Sequence, residues 1–299
     1  MVPSWLWAAF TVTAAGAQTL RNAMQRDLIA KLGTGGATYV RFLFGLPFAA
    51  LFLVLVAIGT EEVPPVPGAR ALAFTLIAAV SQIFATALML AAMRERAFVV
   101  AIAYTKTEPI LVALFGLVVL GDRLSGATAL AILVATIGVM LMSWPSGRTY
   151  DSAYSWRPAA YGLVSAVAFA FSAVGYRAAI LALDLKNFIV AASTILACGL
   201  AIQTALILAY LAMFDRTLIA AIGRLWRASM TAGFMGALAS QFWYLAFAID
   251  TAARVRTLAL VEMIFAQIAT RRLFRQETSK RELVGMVMII AGVILLLWG

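Results

Sequence analysis

Long apolar runs, separated by short polar connections, occupy almost the whole chain. A helix needs roughly 20 predominantly apolar residues to cross a bilayer. Ten runs approach that length, and they cover approximately residues 4–22, 37–58, 70–92, 97–120, 124–144, 158–182, 187–213, 228–249, 257–274 and 282–298. This pattern predicts an all-α, polytopic membrane protein with ten transmembrane helices.

The sequence contains two copies of one pattern. The stretch 104–125 places Lys106 and Glu108 inside an apolar run, and a weaker copy at 259–279 follows at an offset of 154 residues. The offset takes Glu108 to Glu262 and continues without a gap over about 35 positions. Apolar composition alone does not impose a fixed offset over such a length, so we interpret it as an internal duplication.

The duplication predicts two five-helix repeats, at residues 1–145 and 156–299. Because five is an odd number, the second repeat enters the membrane from the opposite side, and the two repeats are therefore inverted. In folds of this kind the binding site lies where the repeats meet and opens alternately to either face. The sequence therefore favours a transporter that works by alternating access.

Composition narrows the class of protein. The chain is 64% hydrophobic and only 12% charged, whereas a soluble domain is about half apolar and about a quarter charged. It has no histidine and a single cysteine, Cys198, which excludes a disulfide framework, a Cys/His zinc site and histidine-based catalysis. We expect no cofactor, no metal and no enzymatic activity. The net charge of +10 is spread singly between apolar runs, which is typical of loop charges and not of a nucleic-acid partner.

Two opposite charges lie inside the fourth run. A charge near the bilayer centre costs about 2.5–3.5 kcal/mol on insertion scales, so Lys106 and Glu108 are expected to face a cavity or a partner. Pro109 removes a backbone hydrogen bond and disfavours helical geometry at Glu108, which predicts a locally opened helix. The alternatives are that the two charges neutralise each other or that Lys106 reaches an interface.

Glu262, the counterpart of Glu108, has no lysine or proline beside it in its run. A carboxyl group in that position is expected to be protonated or to face water, which would allow coupling of transport to protons. A structural hydrogen bond to another helix is the alternative.

Polar residues also follow one face of runs 1 and 6. The spacing of 4, 3 and 4 residues is the same in both runs and predicts matching helical stripes: Thr11, Ala15, Gln18 and Asn22, then Ser165, Phe169, Ser172 and Tyr176. Close helix packing explains small and hydroxyl residues equally well. The larger Gln18 and Tyr176 favour the lining of a cavity.

Runs 3 and 8 each contain a Ser-Gln pair, which ends in Gln82 and Gln241 respectively. Gln241 and Tyr244 are three residues apart and share a helical face. An amide beside an aromatic ring suits an amino acid or another zwitterion, although ordinary hydrogen bonding between helices accounts for it too. We expect Arg41 and Arg177, near the ends of their runs, to extend to the membrane interface.

Basic residues are unevenly distributed over the connections. The connections after runs 1, 3, 5, 7 and 9 carry most of them, including Arg21, whereas the even-numbered connections carry few, including Arg254 and Arg256. By the positive-inside rule this distribution places both termini outside the cytoplasm.

Several short motifs point to one family. They are Thr-Glu-Pro at 107–109, Leu-Gly-Asp-Arg-Leu at 120–124, Ile-Gly-Val at 137–139 and Arg-Phe at 41–42. With two inverted halves of five helices, the chain resembles the EamA type of the drug/metabolite transporter superfamily, and within it the YddG family. The second half departs from the pattern, because Glu262 is not followed by proline and residues 273–278 form a basic loop.

The resemblance implies a bacterial inner-membrane exporter of small metabolites, typically amino acids, including aromatic ones. It also implies a central cavity lined by helices 1, 3, 4, 6, 8 and 9, and termini in the cytoplasm, which conflicts with the distribution of basic residues.

We therefore expect a multi-pass exporter of amino acids or related metabolites, with the lipid bilayer as its surroundings and a monomer as the working oligomeric state. The substrate-pathway residues predicted for it are Gln18, Gln82, Tyr104, Lys106, Glu108, Tyr176, Gln241, Tyr244 and Glu262. Lys106 would meet a substrate carboxylate, and Glu108 an ammonium group or a proton. An exporter of lipophilic cations, with Trp243 in an aromatic cage, is the main alternative. A passive channel and an intramembrane enzyme are further alternatives.

Overall fold

A computed structural model describes residues 3–94, 104–142, 157–265, 267 and 279–298. Within these ranges the regular structure is helical and contains no strand. The helices are α1 Leu6–Leu43, α2 Leu46–Thr60, α3 Ala69–Arg94, α4 Glu108–Leu120, α5 Gly126–Met142, α6 Arg157–Leu181, α7 Phe188–Phe214, α8 Arg216–Arg224, α9 Trp226–Ile249, α10 Ala252–Leu258 and α11 Lys280–Trp298.

Six helical stretches are long and apolar enough to cross a membrane, and α4 and α5 are shorter apolar helices. The six are 27–60, 69–92, 159–181, 188–214, 226–249 and 280–298. The described part of the chain is therefore that of an all-helical, polytopic membrane protein. Residues 97–103, 143–144, 266 and 268–274 of the predicted runs lie outside the described residues. The count of ten helices therefore stays a prediction.

The connection between the first two runs is shorter than predicted. Helix α1 continues from Leu6 to Leu43 and is interrupted only at Gly33, whose φ of 68° and ψ of 178° suit glycine alone. The Gln25 side-chain amide bridges the interruption and donates to the Ala37 carbonyl over 2.9 Å. Arg21, assigned to this connection from the sequence, is a buried residue of the helix.

The fourth run opens near its proline, as predicted. Lys106 and Thr107 form a turn, and α4 begins only at Glu108. The Thr107 hydroxyl donates to the Tyr104 carbonyl over 2.8 Å and holds the turn. Pro109 lies in the first turn of α4, where the backbone N–H that it lacks has no intrahelical acceptor.

Helix α8 was not predicted, because its nine residues carry an arginine at each end and lie within the connection after run 7. The Asp215 carboxylate caps its first turn and accepts from the Leu218 N–H over 3.1 Å. Ile222 is buried whereas Arg216 and Arg224 are exposed, so α8 is amphipathic.

The chain forms two compact units, and each draws on both halves of the sequence. Unit 1 comprises Met1–Ile83 and Phe171–Asp250, and unit 2 comprises Phe84–Ala170 and Thr251–Gly299. In unit 1, α1 packs along α9 and α2 along α7. In unit 2, α5 packs along α11 and α4 packs against α10.

In unit 2, the contact between α5 and α11 contains pairs of residues that correspond to each other under the offset of 154 residues. A Cβ atom on Gly138 would lie 2.7 Å from the Gly285 carbonyl oxygen, and one on Gly292 would lie 2.9 Å from the Ala131 carbonyl oxygen. The offset converts Gly138 to Gly292 and Ala131 to Gly285. Each contact therefore has a counterpart with the two halves exchanged, as a two-fold axis would produce.

Candidate functional site

The charged residues of unit 2 form two ion pairs. The Lys106 ammonium group pairs with the Glu262 carboxylate, and Arg256 Nε lies 3.0 Å from Glu108 Oε1. The exposed fractions of these side chains are 16% for Lys106, 6% for Glu262, 9% for Arg256 and 10% for Glu108. We call these four residues the charge cluster.

Interruptions of the helices place these side chains. Lys106 lies in the turn that precedes α4, and Glu108 is the first residue of α4. Arg256 lies on α10, and Glu262 follows the short 3₁₀ turn Ala259–Val261 that ends α10. A continuous helix from 104 to 108 would have aligned Tyr104 with Glu108, but the turn at Lys106 and Thr107 lies between them.

The ion pairs join the two halves of the sequence crosswise. Glu108 and Glu262 are counterparts under the offset of 154 residues. Glu108, from the first half, pairs with Arg256 from the second, and Glu262, from the second half, pairs with Lys106 from the first. One alternative drawn from the sequence was that Lys106 and Glu108 neutralise each other. In the structure, each of them pairs instead with a residue from the second half of the sequence.

The charge cluster combines two cations and two carboxylates, of which Glu108, Arg256 and Glu262 are buried and Lys106 is half-buried. Desolvation offsets much of the attraction within each buried pair, whereas an unpaired charge there is strongly unfavourable. A proton or a ligand charge that neutralises one member of the cluster therefore changes how stable the charged forms of the other members are. The cluster is chemically suited to exchange its internal pairs for contacts with a ligand that carries both signs.

Amide side chains form the polar contacts of unit 1. Gln18 accepts a hydrogen bond from the Trp243 indole N–H over 3.1 Å. Gln82 accepts from the Gln203 amide over 2.9 Å, and the Gln241 amide donates to the Ser193 hydroxyl over 2.8 Å. These contacts join α1 to α9, α3 to α7, and α7 to α9.

Two tyrosines predicted from separate runs meet in unit 1. The ring centroids of Tyr176 and Tyr244 lie 4.6 Å apart, and both side chains are buried. Gly199 on α7 permits this packing, because a Cβ atom there would lie 3.0 Å from the Tyr176 ring. The structure thus brings together Tyr176 and Tyr244, and it places Gln18, Gln82 and Gln241 in the same unit.

The sequence-based expectation for Arg41 is wrong. Its side chain is 4% exposed and does not extend to an interface, and its guanidinium group lies 5.0 Å from the centre of the Phe42 ring. Arg177 is half-buried and donates to the Phe247 carbonyl over 2.7 Å and to the Asp250 carbonyl. It therefore binds carbonyl groups at the end of α9, where a basic side chain also complements the helix dipole.

Sequence reasoning missed four partners. Arg256 was assigned to a connection, but it lies on α10 and its Nε lies 3.0 Å from Glu108 Oε1. Arg254 was assigned to the same connection but donates from α10 to the Leu296 carbonyl over 3.1 Å. Ser193 and Gln203 are polar residues inside run 7, and a search of that run for polar side chains would have found them.

The fold and the charge cluster together define a class of protein, a polytopic, all-helical membrane protein with buried ion pairs. Such ion pairs are typical of transport pathways. The model of the EamA-like transporter family matches residues 4–144, just under half of the chain. This match suggests a membrane transporter of small molecules.

Similarity to individual proteins is confined to the fold. No curated protein matches the chain. A solved structure titled "Crystal structure of protein" is similar over 97% of this chain and 95% of its own, with a TM-score of 0.66 and 13% sequence identity. An identity this low establishes a common fold and nothing about substrate.

Proposed function

We propose that the protein is a secondary transporter that exports amino acids or closely related metabolites by alternating access. It would act in a bacterial inner membrane, as an exporter of the kind that the YddG family represents. The EamA-like match of the first half and the apolar helices support a transporter of small molecules. The substrate class rests on the charge cluster.

The observation that carries the proposal is the crosswise pairing of Glu108 with Arg256 and of Glu262 with Lys106. A zwitterion presents an ammonium group and a carboxylate at once, and the cluster contains partners of both signs. Binding of such a ligand replaces internal ion pairs with equivalent contacts and leaves no charge uncompensated. A ligand of a single sign would leave one member of a pair buried and unbalanced.

The pairing also suits alternating access between two inverted repeats. Each glutamate is held by a cation from the other half, so a rearrangement of the halves changes the partner of both glutamates together. Such a coupled change of partners would accompany the passage of a carrier between two conformations.

An exporter of lipophilic cations is less well supported. Such a ligand needs a carboxylate and open aromatic faces. Glu108 and Glu262 both lie beside cations, and the Trp243 side chain is buried with its N–H directed to Gln18.

Counterflow in proteoliposomes tests the proposal. The purified protein is expected to exchange labelled amino acids across the membrane, and unlabelled amino acid is expected to stimulate that exchange. Glu108→Gln and Glu262→Gln should each reduce the exchange rate by at least about tenfold, because each change leaves a buried cation uncompensated. Asp184→Asn, which neutralises an exposed carboxylate, is the matched control and should transport normally.

Two results would contradict the proposal. One is transport of a cationic dye with no exchange of any amino acid. The other is amino-acid flux that does not saturate and is not stimulated by substrate on the opposite side, which is the behaviour of a channel.

A further inference from the structure

Helix α8 connects two helices of unit 1 that are long and apolar enough to span a membrane. Helix α7 ends at Phe214, α8 occupies Arg216–Arg224, and α9 begins at Trp226. Each of the two arginines of α8 therefore lies two residues from the end of a spanning helix. A helix of nine residues is too short to cross a bilayer. The connections to α7 and α9 thus fix α8 at the surface of the bilayer.

The two sides of α8 differ in their chemistry. Leu218 and Ile222 are four residues apart and lie on the side that packs on the protein, where Leu218 is half-buried and Ile222 is buried. Arg216, Ala220 and Arg224 follow the opposite side at intervals of four residues, and all three are exposed. We call these three residues the basic face. Because Ala220 has only a methyl group, no long side chain separates the two arginines.

Exposed cations collect at this end of unit 1. Those that the structure describes are Lys31, just before the break in α1 beside which α8 packs, and Arg216, Arg224 and Arg227. None of the four has a carboxylate partner among the described residues. The Asp215 carboxylate, the nearest to them along the chain, caps α8 and accepts from the Leu218 N–H and the Thr217 hydroxyl. This end of unit 1 therefore complements an anion.

Apolar side chains border the basic face. Met213 and Phe214, the last residues of α7, are 70% and 72% exposed, and Trp226, the first residue of α9, is 53% exposed. The Arg227 guanidinium group lies 5.4 Å from the centre of the Trp226 ring. An indole ring with a cation beside it is typical of the level of lipid headgroups, where acyl chains and polar groups meet. Helix α8 thus offers cations and apolar side chains together.

We propose that the basic face of α8 binds the headgroup phosphate of an anionic phospholipid, whose acyl chains pack against Met213, Phe214 and Trp226. A guanidinium group presents paired donors that match two phosphate oxygens. The Arg216 Nε donates to the Ala212 carbonyl over 2.8 Å, which holds this cation beside the exposed end of α7. A zwitterionic phospholipid is less suitable, because its own ammonium group lies beside the phosphate and is repelled by the arginines. The site does not depend on which molecule the protein transports.

Thermal unfolding of the purified full-length protein in an uncharged detergent tests the site. Dioleoyl phosphatidylglycerol should raise the unfolding midpoint more than dioleoyl phosphatidylcholine, because a lipid that binds only the folded state stabilises it. The difference should shrink when the salt concentration rises from about 0.1 M to about 1 M, since the screening length then falls from about 10 Å to about 3 Å. Equal stabilisation by the two lipids would overturn the proposal, and so would a difference that salt does not change.

Variants locate the site. Arg216→Gln and Arg224→Gln should each weaken the binding of phosphatidylglycerol about fivefold, the usual effect of one basic residue near an anionic surface, and the double variant about 25-fold. Arg216→Lys keeps the charge without the Nε hydrogen bond and should retain most of the affinity, which a purely structural arginine would not. Arg70→Gln is the matched control, because Arg70 is an exposed arginine beside an aromatic ring, at 5.9 Å from Phe74, but lies at the start of α3.

The lipid-dependent shift of each variant is compared with its own midpoint without lipid, so a general loss of stability does not affect the result. Unchanged binding of phosphatidylglycerol in the double variant would overturn the proposal, and so would an equal loss in Arg70→Gln. Inorganic phosphate should not reproduce the stabilisation, because it has no acyl chains. Equal stabilisation by phosphate would identify a site for a soluble anion and contradict the lipid. No step measures transport, so failure of this proposal leaves the proposed function untouched.

Discussion

Glu108 and Arg256 illustrate how the energetics of single residues differ between the inside and the surface of this protein. Their atoms lie 3.0 Å apart in buried surroundings. Removal of one partner from a buried pair leaves an uncompensated charge and costs about 3–5 kcal/mol, whereas removal of both partners costs much less. An exposed contact of similar length, such as that of Glu62 with Asn187 at 3.1 Å, contributes about 0–1 kcal/mol.

This difference gives a prediction for stability. Glu108→Gln should destabilise the protein strongly, and the double variant Glu108→Gln with Arg256→Gln should recover most of the loss. Unfolding midpoints in detergent measure both, and Glu62→Gln is the control expected to change little. Additive effects of the two single changes would mean that Glu108 and Arg256 do not interact.

The charge cluster was only partly predictable from single residues. Lys106, Glu108 and Glu262 were found because a charge inside an apolar run is conspicuous in any sequence. Arg256 and Arg41 were misassigned, because a long basic side chain near the end of a run can extend either to solvent or into the protein. Burial by neighbouring helices, and not the local sequence, decides between these two directions.

At the scale of helices, the ends of several elements were predicted closely. Runs 187–213 and 228–249 correspond to α7 and α9 with ends that differ by two residues or fewer. The break between runs 1 and 2 is present at Gly33 but is shorter than predicted, because the preceding residues 23–32 are polar enough to resemble a loop yet remain helical. Polarity indicates exposure to water, and it does not by itself end a helix.

Glycines in the α5–α11 contact give a prediction at the scale of helices. Gly138→Ala and Gly292→Ala should each destabilise the protein by about 1–3 kcal/mol, because the added methyl group meets backbone atoms of the opposite helix. Counterpart positions should respond similarly. Gly126→Ala, on α5 with no atom within 4 Å of the added Cβ, should be neutral or slightly stabilising.

Unfolding midpoints of these three variants are the measurement. A loss confined to Gly138→Ala, with Gly292→Ala tolerated, would argue against a symmetric contact and weaken the case for duplicated halves.

At the scale of the molecule, the distribution of basic residues in unit 1 indicates its orientation. Helix α8 packs beside the break in α1, where Leu218 Cδ1 lies 3.2 Å from the position of a Cβ on Gly36. This end of the unit exposes Lys31, Arg216 and Arg224. An amphipathic basic helix is typical of the membrane interface, and basic residues favour the cytoplasmic side.

The N-terminus is accordingly expected outside the cytoplasm, because α1 runs from Leu6 to the basic end of the unit at Gly33. The Asn187–Glu62 contact marks the opposite end. In a Cys198→Ser background, an impermeant maleimide should label Glu61→Cys in intact cells and Lys31→Cys only after permeabilisation. The reverse result would place the termini in the cytoplasm, as the family resemblance implies. The Cys198→Ser variant without an added cysteine is the control for unspecific labelling.

The sequence by itself determined that this chain is a helical membrane protein, and that two glutamates at equivalent positions lie within its apolar helices. Hydropathy and spacing along the chain suffice for both conclusions, because helix formation and membrane insertion depend on neighbouring residues. Only the tertiary structure decided that each glutamate pairs with a cation from the other half, and that Arg21 and Arg41 are buried together against Gly236. These contacts join residues far apart in sequence, and helix packing, which no local pattern encodes, selects them.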